Sequence, residues 1–195
     1  MPLLNSIISW VNVKRLHQIE LFKKYPFDVQ QDVFSKLVEH AAKTTWGLQY
    51  GFDSILSIED FQQRVPISTY DDTKPYIDRL RNGEQNLLWP TDIKWFAKSS
   101  GTTSDKSKFI PVSFEALEDC HLRGGKDVIA FYTKEKPDTG ILKGKTLTLG
   151  GSAEVNKFSN QSYFGDLSAV IIENLPFWAQ IIRTPAVEIA LIPDF

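Results

Sequence analysis

A polar loop between two strand-forming runs is the feature that most constrains how this chain can fold. The runs cover residues 93–97 and 109–112, and residues 98–108 between them are mostly serine, threonine, glycine and lysine. Short apolar runs rich in aromatic and β-branched residues are typical of strands, and a loop of small polar residues between two of them is typical of a hairpin. The sequence therefore predicts a β-hairpin whose loop lies at the surface.

Helices are predicted before this hairpin. Apolar residues recur at helical spacing over residues 28–43, and Asp28, with Gln31 three residues later, resembles a capping box. A second, short helix is predicted over residues 57–61 with Ser57 as its cap, and Pro66 closes that segment.

A third helix is predicted to begin at Asp72 or Thr73, to tolerate Pro75 in its first turn and to end at Gly83.

The apolar segment 1–13 carries interrupting polar residues and no small-residue cleavage site, which argues against a signal peptide. It is also too short for the roughly 20 apolar residues of a membrane span. An amphipathic first helix that covers the core is the prediction, with an interfacial membrane anchor as the alternative.

The chain after the hairpin mixes helices with strands. Ser113 is a suitable N-cap for a helix that reaches about Tyr132, and residues 145–149 alternate as a strand does. Residues 152–166 are rich in Ser, Asn and Gly and predict a loop, and Pro176 predicts the start of another helix. A helix-rich start followed by mixed strands and helices indicates an α/β or an α+β domain.

Composition excludes several classes of function. The net charge is −2 and the basic residues are spread among acidic ones, so no basic stripe exists to bind nucleic acid. The single cysteine, Cys120, cannot form an internal disulfide, which fits a reducing cytoplasm, and it is expected to be buried as a small apolar residue. His17, His40 and His121 stand at no metal-ligand spacing and receive no role.

The loop of the hairpin carries the chemistry. Four of its five residues 99–103 bear hydroxyls and the fifth is Gly101, so its hydroxyls and backbone N–H groups can donate hydrogen bonds to phosphate oxygens. Lys106 or Lys108 would add positive charge opposite a pyrophosphate leaving group. The spacing is not that of a Walker loop. Taken alone, the same composition also describes an ordinary solvated turn.

The whole string over residues 99–112 resembles the first nucleotide-binding motif of the auxin-responsive acyl acid amido synthetases, a branch of the acyl-adenylate-forming superfamily. The resemblance extends over residues 65–72, 75–78, 183–186 and 193–194. It implies an α/β fold in which residues 1–195 form a partial amino-terminal large domain, without the smaller carboxy-terminal domain. It also implies ATP-dependent adenylation of a small carboxylic acid and transfer of the acyl group to an amine such as an amino acid.

The resemblance assigns roles to particular residues. It implies that the ATP phosphates are held, with Mg²⁺ assisting, by Ser99, Ser100, Gly101, Thr102, Thr103 and Lys108. Asp105 stands where many members carry glycine, and its negative charge near a triphosphate is unfavourable unless Mg²⁺ or Lys106 lies close. Arg123 and Asp127 fall where residues of the acyl-acid pocket are expected, and a solvated i,i+4 ion pair is the alternative.

Two other functions remain open at this point. Because relatives continue well beyond Phe195 with further motifs, the chain is expected to be truncated and to show little or no turnover alone. It would then be a non-catalytic domain that self-associates through exposed sheet edges or binds another chain. A carboxylate-CoA ligase relative is the third reading. The sequence does not indicate which acid or which acceptor is used.

Overall fold

The computed structural model describes residues 2–99, 107–141, 143–148, 155–158 and 162–190, with side chains except those of residues 2–11, 178 and 188. Its helices are α1 (Pro2–Lys24), α2 (Pro26–Ala41), α3 (Thr45–Tyr50), α4 (Ile58–Arg64), α5 (Tyr70–Arg81), α6 (Arg123–Glu135), α7 (Leu167–Glu173), α8 (Phe177–Ile181) and α9 (Val187–Ala190). Its strands are β1 (Trp95–Lys98), β2 (Phe109–Val112), β3 (Thr146–Leu147), β4 (Asn156–Lys157), β5 (Tyr163–Gly165) and β6 (Arg183–Thr184). A 3₁₀ turn covers Phe52–Ser54, and a π-helical segment, Ala116–Leu122, runs directly into α6.

The start of α2 differs from the capping box predicted at Asp28. The helix begins two residues earlier, with Pro26 in its first turn and Tyr25 as the N-cap, and Tyr25 makes no side-chain capping hydrogen bond. Proline suits the first position because its missing N–H would have no partner there. Asp28 instead lies in the first turn, where the positive end of the helix dipole favours a carboxylate.

The caps of α4 and α5 were predicted with different success. Ser57 caps α4 as predicted, because its hydroxyl accepts the Asp60 N–H while the Asp60 carboxylate accepts the Ser57 N–H. The predicted cap of α5 at Asp72 or Thr73 is wrong. Thr69 is the N-cap, and the Asp72 carboxylate accepts both its N–H and its hydroxyl, each at 2.7 Å.

Because α5 begins earlier than predicted, Pro75 lies inside the helix and not in its first turn. Gly83 stops the helix as predicted, with a φ of 97° that side-chain-bearing residues rarely adopt.

The predicted hairpin is the centre of a four-stranded mixed sheet in the order β2-β1-β5-β4. Strand β1 pairs antiparallel with β2, Lys98 lying opposite Phe109, and parallel with β5, Ala97 lying opposite Gly165. The loop predicted over residues 152–166 is therefore wrong in part, because β4 and β5 both form within it. Both strands are too short to show an alternating pattern in the sequence.

Within the described residues, a second sheet is formed by β3 and β6, which pair in parallel with Thr146 opposite Arg183. The strand predicted over residues 145–149 is thus confirmed as a shorter element. Helix α8 begins directly after Pro176, which is its N-cap, as predicted.

The two faces of the larger sheet pack against different helices. Phe96 points to one face and is fully buried against Ile77 and Leu80 of α5. Ala97 points to the opposite face, where it packs with Leu117 of the π-helical segment and Val170 of α7. Helices on both faces of a mixed sheet confirm the expected α/β class with a helix-rich start. The base of the hairpin loop, at Ser99 and Lys108, therefore lies at the end of two strands of a sheet that is packed on both sides.

Helix α1 packs along α6 at the outside of this arrangement. Of the helices in the described ranges, none combines the length and the apolar character required to cross a bilayer.

Cys120 is exposed, and the expectation that it is buried is wrong. It lies on the π-helical segment, where the wider turn changes the face that each residue occupies relative to an α-helix, while Leu117 is the buried member.

Candidate functional site

The base of the hairpin loop is closed by Ser99 and Lys108. The Ser99 N–H donates to the Lys108 carbonyl at 2.9 Å, and the Lys108 N–H donates to the Ser99 Oγ at 3.2 Å. A serine hydroxyl that accepts one hydrogen bond keeps its own proton for donation. The hairpin therefore presents a hydroxyl donor and a lysine side by side where the loop begins and ends.

Two contacts from α5 reach the outgoing side of the loop. The Phe109 N–H donates to the Tyr70 Oη at 3.0 Å, and the Lys108 Nζ lies 5.2 Å from the centre of the Tyr70 ring. Lys108 is exposed to solvent. Its ammonium group therefore lies beside an aromatic face and stays accessible to an anion.

A cleft of about 340 Å³ adjoins the hairpin on the side of the π-helical segment. Its walls are mostly apolar, with Lys98, Ser99 and His121 as the polar contributors. The lining residues are Ala97, Lys98, Ser99, Ile110, Pro111, Val112, Ala116, His121 and Leu167. Mostly apolar clefts of this size with a few polar groups are typical of small-molecule sites.

The helix that borders this cleft is fixed at its start by Glu115. The Glu115 Oε2 accepts hydrogen bonds from Trp89 Nε1 and Thr91 Oγ1, both at 3.0 Å. Burial acts to raise the pKa of Glu115, but the hydrogen bonds it accepts outweigh burial and lower that pKa below its usual value. Ser113 caps the same turn as predicted, since its Oγ accepts the Ala116 N–H at 3.1 Å. The π-helical segment is thus anchored before it reaches the cleft.

The residues expected to hold phosphate divide into two groups. Ser99 and Lys108 are brought together at the base of the loop. Ser100, Gly101, Thr102 and Thr103, together with Asp105, lie outside the described residues. Their assignment stays a prediction.

Arg123 and Asp127 are each engaged with a different partner. Arg15 of α1 donates to both carboxylate oxygens of Asp127, at 2.6 and 2.8 Å. Arg123 pairs with Asp119 at 2.5 Å, and both of these side chains are about half exposed. The hydrogen bond from Arg15 lowers the pKa of Asp127, and the charge of Arg123 adds a smaller effect in the same direction. Neither residue lines the cleft beside the hairpin.

The described residues offer donors for phosphate and few ligands for a metal ion. Lys98, Lys108 and the Ser99 hydroxyl fit an anionic phosphate. Within the described ranges, no group of three or more His, Cys, Asp or Glu side chains is placed to hold a metal ion. A Mg²⁺ ion that arrives with a nucleotide is bound mainly by phosphate oxygens and water, so the donor set fits Mg²⁺-ATP better than a protein-bound metal.

Tyr70 is the contact residue that sequence reasoning missed. It falls within the stretch 65–72 that carries the resemblance, but it precedes the helix start predicted at Asp72 or Thr73 and received no role. Its hydroxyl was the available signal, because a buried tyrosine usually needs a hydrogen-bond partner.

The comparisons with known proteins agree on one family. Residues 15–195 match the family model described as the GH3 family N-terminal domain. The indole-3-acetic acid-amido synthetase GH3.2 of Arabidopsis thaliana is 30% identical over 60% of this chain and 21% of its own length. The jasmonoyl–L-amino acid synthetase JAR4 of Nicotiana attenuata is 26% identical over 92% of this chain and 32% of its own length. The chain thus spans up to about a third of these relatives.

A solved structure gives the same result for the fold. The GH3.15 acyl acid amido synthetase superimposes with a TM-score of 0.75 over 92% of this chain and 31% of its own, at 22% sequence identity. At this identity the likeness shows the fold, and the match to the family model over residues 15–195 shows the family. This chain, with its helix-rich start and its central hairpin, belongs to the GH3 family of acyl acid amido synthetases.

Proposed function

We propose that this chain supplies the phosphate-binding part of an enzyme that adenylates a small carboxylic acid with ATP and passes the acyl group to an amine. The observation that carries the proposal is the hairpin base, where the Ser99 hydroxyl and the Lys108 ammonium group flank a loop of small hydroxyl residues. Membership of the GH3 family supports the reaction class. Because the relatives are much longer, the complete reaction is proposed for the GH3 architecture and not for these residues alone.

Electrostatics explain why this arrangement suits ATP. When the acid carboxylate attacks the α-phosphate, negative charge grows on the departing pyrophosphate. Backbone N–H groups, hydroxyls and a lysine that are held in place around such a charge would stabilise it without reorganising. Mg²⁺, when bound with the nucleotide, would neutralise part of the same charge. No residue of this chain needs to act as a nucleophile.

The cleft beside the hairpin is a suitable place for the apolar body of the acid. Its walls of Ile110, Pro111 and Leu167 would exclude water from the reacting carboxylate, and Lys98 and Ser99 lie on the side of the phosphate loop. The assignment of Arg123 and Asp127 to the acid pocket stays a prediction. For Asp127 to contact a substrate, it would first have to release Arg15.

A cytoplasmic location is proposed on the single unpaired cysteine.

The test is the thermal midpoint of the chain with and without Mg²⁺-ATP. A ligand that binds only the folded state at ten times its dissociation constant adds about 1.4 kcal/mol of stability. For a chain of this size that corresponds to a rise of about 3–6 °C. The rise is expected to disappear in Ser100→Ala/Thr102→Ala. The matched control is Ser35→Ala/Ser68→Ala, which removes two exposed hydroxyls elsewhere and should keep the rise.

An equal rise in both double variants would contradict phosphate binding by the loop, and no rise in the unmodified chain would contradict ATP binding by these residues. In the second case the alternative, a non-catalytic domain that associates with itself or another chain, becomes the better proposal. The observation in its favour is apolar exposure near the small sheet, where Leu147, Phe177 and Ile181 are 66%, 77% and 58% exposed. Sedimentation velocity at several concentrations would reveal self-association.

A further inference from the structure

Strand β2 is an edge strand of the larger sheet, and its outer side is met by a side chain instead of another strand. Lys108 directs its N–H and its carbonyl toward Ser99, so the next residue, Phe109, directs its N–H away from the hairpin. That N–H donates to the Tyr70 Oη. The phenol thus occupies the position that a neighbouring strand would take, at the first residue after the loop.

The ring of Tyr70 holds the preceding residue as well. The Lys108 Nζ lies 5.2 Å from the ring centre, within the range in which an ammonium group is attracted to an aromatic face. One side chain therefore contacts two successive residues of β2, through its hydroxyl on the backbone and through its ring on the lysine.

Tyr70 itself is firmly positioned. It is the first residue of α5, directly after the Thr69–Asp72 cap, and it packs partly buried against the core around Phe96. Further along the same helix, the Arg81 guanidinium lies 4.0 Å from the centre of the Phe109 ring. Helix α5 therefore contacts the outgoing strand at its start and near its end.

We propose that Tyr70 is a positioning residue for the phosphate loop, fixing the Phe109 backbone and the Lys108 ammonium group where the phosphates of ATP bind. This inference rests on the proposed function for the ligand, and on the geometry alone for the hold on β2. Tyr70 acts through Lys108 and does not itself contact the reacting atoms.

The experiment measures two quantities on the whole chain. The first is the dissociation constant of Mg²⁺-ATP and of pyrophosphate, by calorimetry. The second is hydrogen exchange of the peptide that covers residues 107–110, without nucleotide. The variants are Tyr70→Phe, which keeps the ring and removes the hydroxyl, Lys108→Met, and the combination of both. The control is Tyr76→Phe, because the Tyr76 hydroxyl lies on the same helix and donates to Gln49, away from the loop.

Tyr70→Phe is expected to weaken binding of both ligands roughly fivefold, the usual effect of one neutral hydrogen bond, and to speed exchange at residues 107–110. In the Lys108→Met background the same change should have a much smaller effect on affinity, because the Tyr70 hydroxyl acts on the ligand by holding the backbone next to Lys108. Tyr76→Phe should change neither quantity.

Three results would overturn the proposal: unchanged affinity in Tyr70→Phe, fully additive losses in the combined variant, or exchange no faster than in Tyr76→Phe. If the unmodified chain binds neither ligand, the proposed function fails. Exchange without nucleotide then decides whether Tyr70 positions β2, and unchanged exchange would refute that as well.

Discussion

Replacing Asp127 by alanine removes the carboxylate that joins α1 to α6. Its two oxygens accept hydrogen bonds from Nε and Nη2 of Arg15, at 2.6 and 2.8 Å. The side chains are only 20% and 22% exposed, which places this pair between a surface pair and a buried one. Two parallel charge-assisted bonds also fix the relative orientation of the two groups.

The expected magnitude follows from this intermediate burial. Exposed ion pairs contribute about 0.2–1 kcal/mol. Hydrogen bonds to charged groups contribute about 1.5–3 kcal/mol when water is excluded. A pair that is four-fifths buried should therefore show a coupling free energy of about 1–2 kcal/mol. The corresponding fall in the thermal midpoint is about 2–8 °C for a chain of this size.

The assay is a double-mutant cycle in urea with Arg15→Ala, Asp127→Ala and the double variant. Asp119→Ala is the matched control, because Asp119 pairs with Arg123 on the same segment but is 57% exposed, and its loss should cost less than about 0.5 kcal/mol. A coupling free energy below about 0.3 kcal/mol, within the error of additivity, would refute the reasoning. So would an equal cost for Asp119→Ala and Asp127→Ala.

The same pair predicts a pH dependence. The hydrogen bond from Arg15 lowers the pKa of Asp127 in the folded chain. A lowered pKa means that the carboxylate stabilises the fold above the unfolded pKa of about 3.9 and that this contribution is lost as the pH falls through the folded pKa. The difference in unfolding free energy between the unmodified chain and Asp127→Asn should therefore be constant near pH 7 and shrink below about pH 4. A difference that stays constant to lower pH would contradict the assignment.

Three further predictions concern stability, each read from urea or thermal unfolding. Arg183 is 6% exposed, and among the described residues none accepts a hydrogen bond from its three guanidinium nitrogens. Arg183→Met should therefore raise the free energy of unfolding by about 1–4 kcal/mol. A lower free energy of unfolding would show that the guanidinium has a partner outside the described residues. A Cβ at Gly47 would lie 2.1 Å from the Ala41 carbonyl oxygen, so Gly47→Ala should cost about 3 kcal/mol or more, and near-neutral stability would show that the backbone gives way there. Ser57→Ala should cost about 1 kcal/mol, because the N–H of Asp60 loses its acceptor; no loss would mean that water replaces the cap.

Local signals predicted the elements that local physics determines. The hairpin, the Ser57 cap and the Gly83 stop depend on residues close together in the chain, and all three are confirmed, with β1 at Trp95–Lys98 instead of residues 93–97. The predicted start of α5 was wrong, because Thr69 and Asp72 are both residue types that commonly begin a helix. The two side chains together form the cap of α5, with Thr69 as the N-cap.

Long-range pairing was beyond these signals. Strands β4 and β5 contain two and three residues, and β5 exists because β1 offers it a parallel partner. The π-helical segment likewise carries no recognisable sequence pattern. Its anchor at Glu115 depends on Trp89 and Thr91, which lie far away in the chain.

The candidate site divides in the same way. Its loop was identified from its residues and from the resemblance, whereas the contact of Tyr70 with Phe109 joins residues 39 positions apart. The partner of Asp127 was missed for the same reason, because Arg15 is separated from it by 112 positions and the i,i+4 spacing pointed to Arg123 instead.

Both sheets are completed by parallel pairs between distant segments, and this imposes an order on folding. Helices α2 to α5 and the β1–β2 hairpin pack mainly against residues that precede Val112, so their contacts can form once the chain has reached that residue. Helix α1 has to wait for α6, against which it packs. The pairing of β1 with β5 has to wait for Gly165, and that of β3 with β6 for Thr184. Closing such loops costs entropy before any contact repays it. During synthesis the hairpin would therefore exist for a time with one edge of β1 open, and the chain is most exposed to mispairing between the release of Val112 and the arrival of β5.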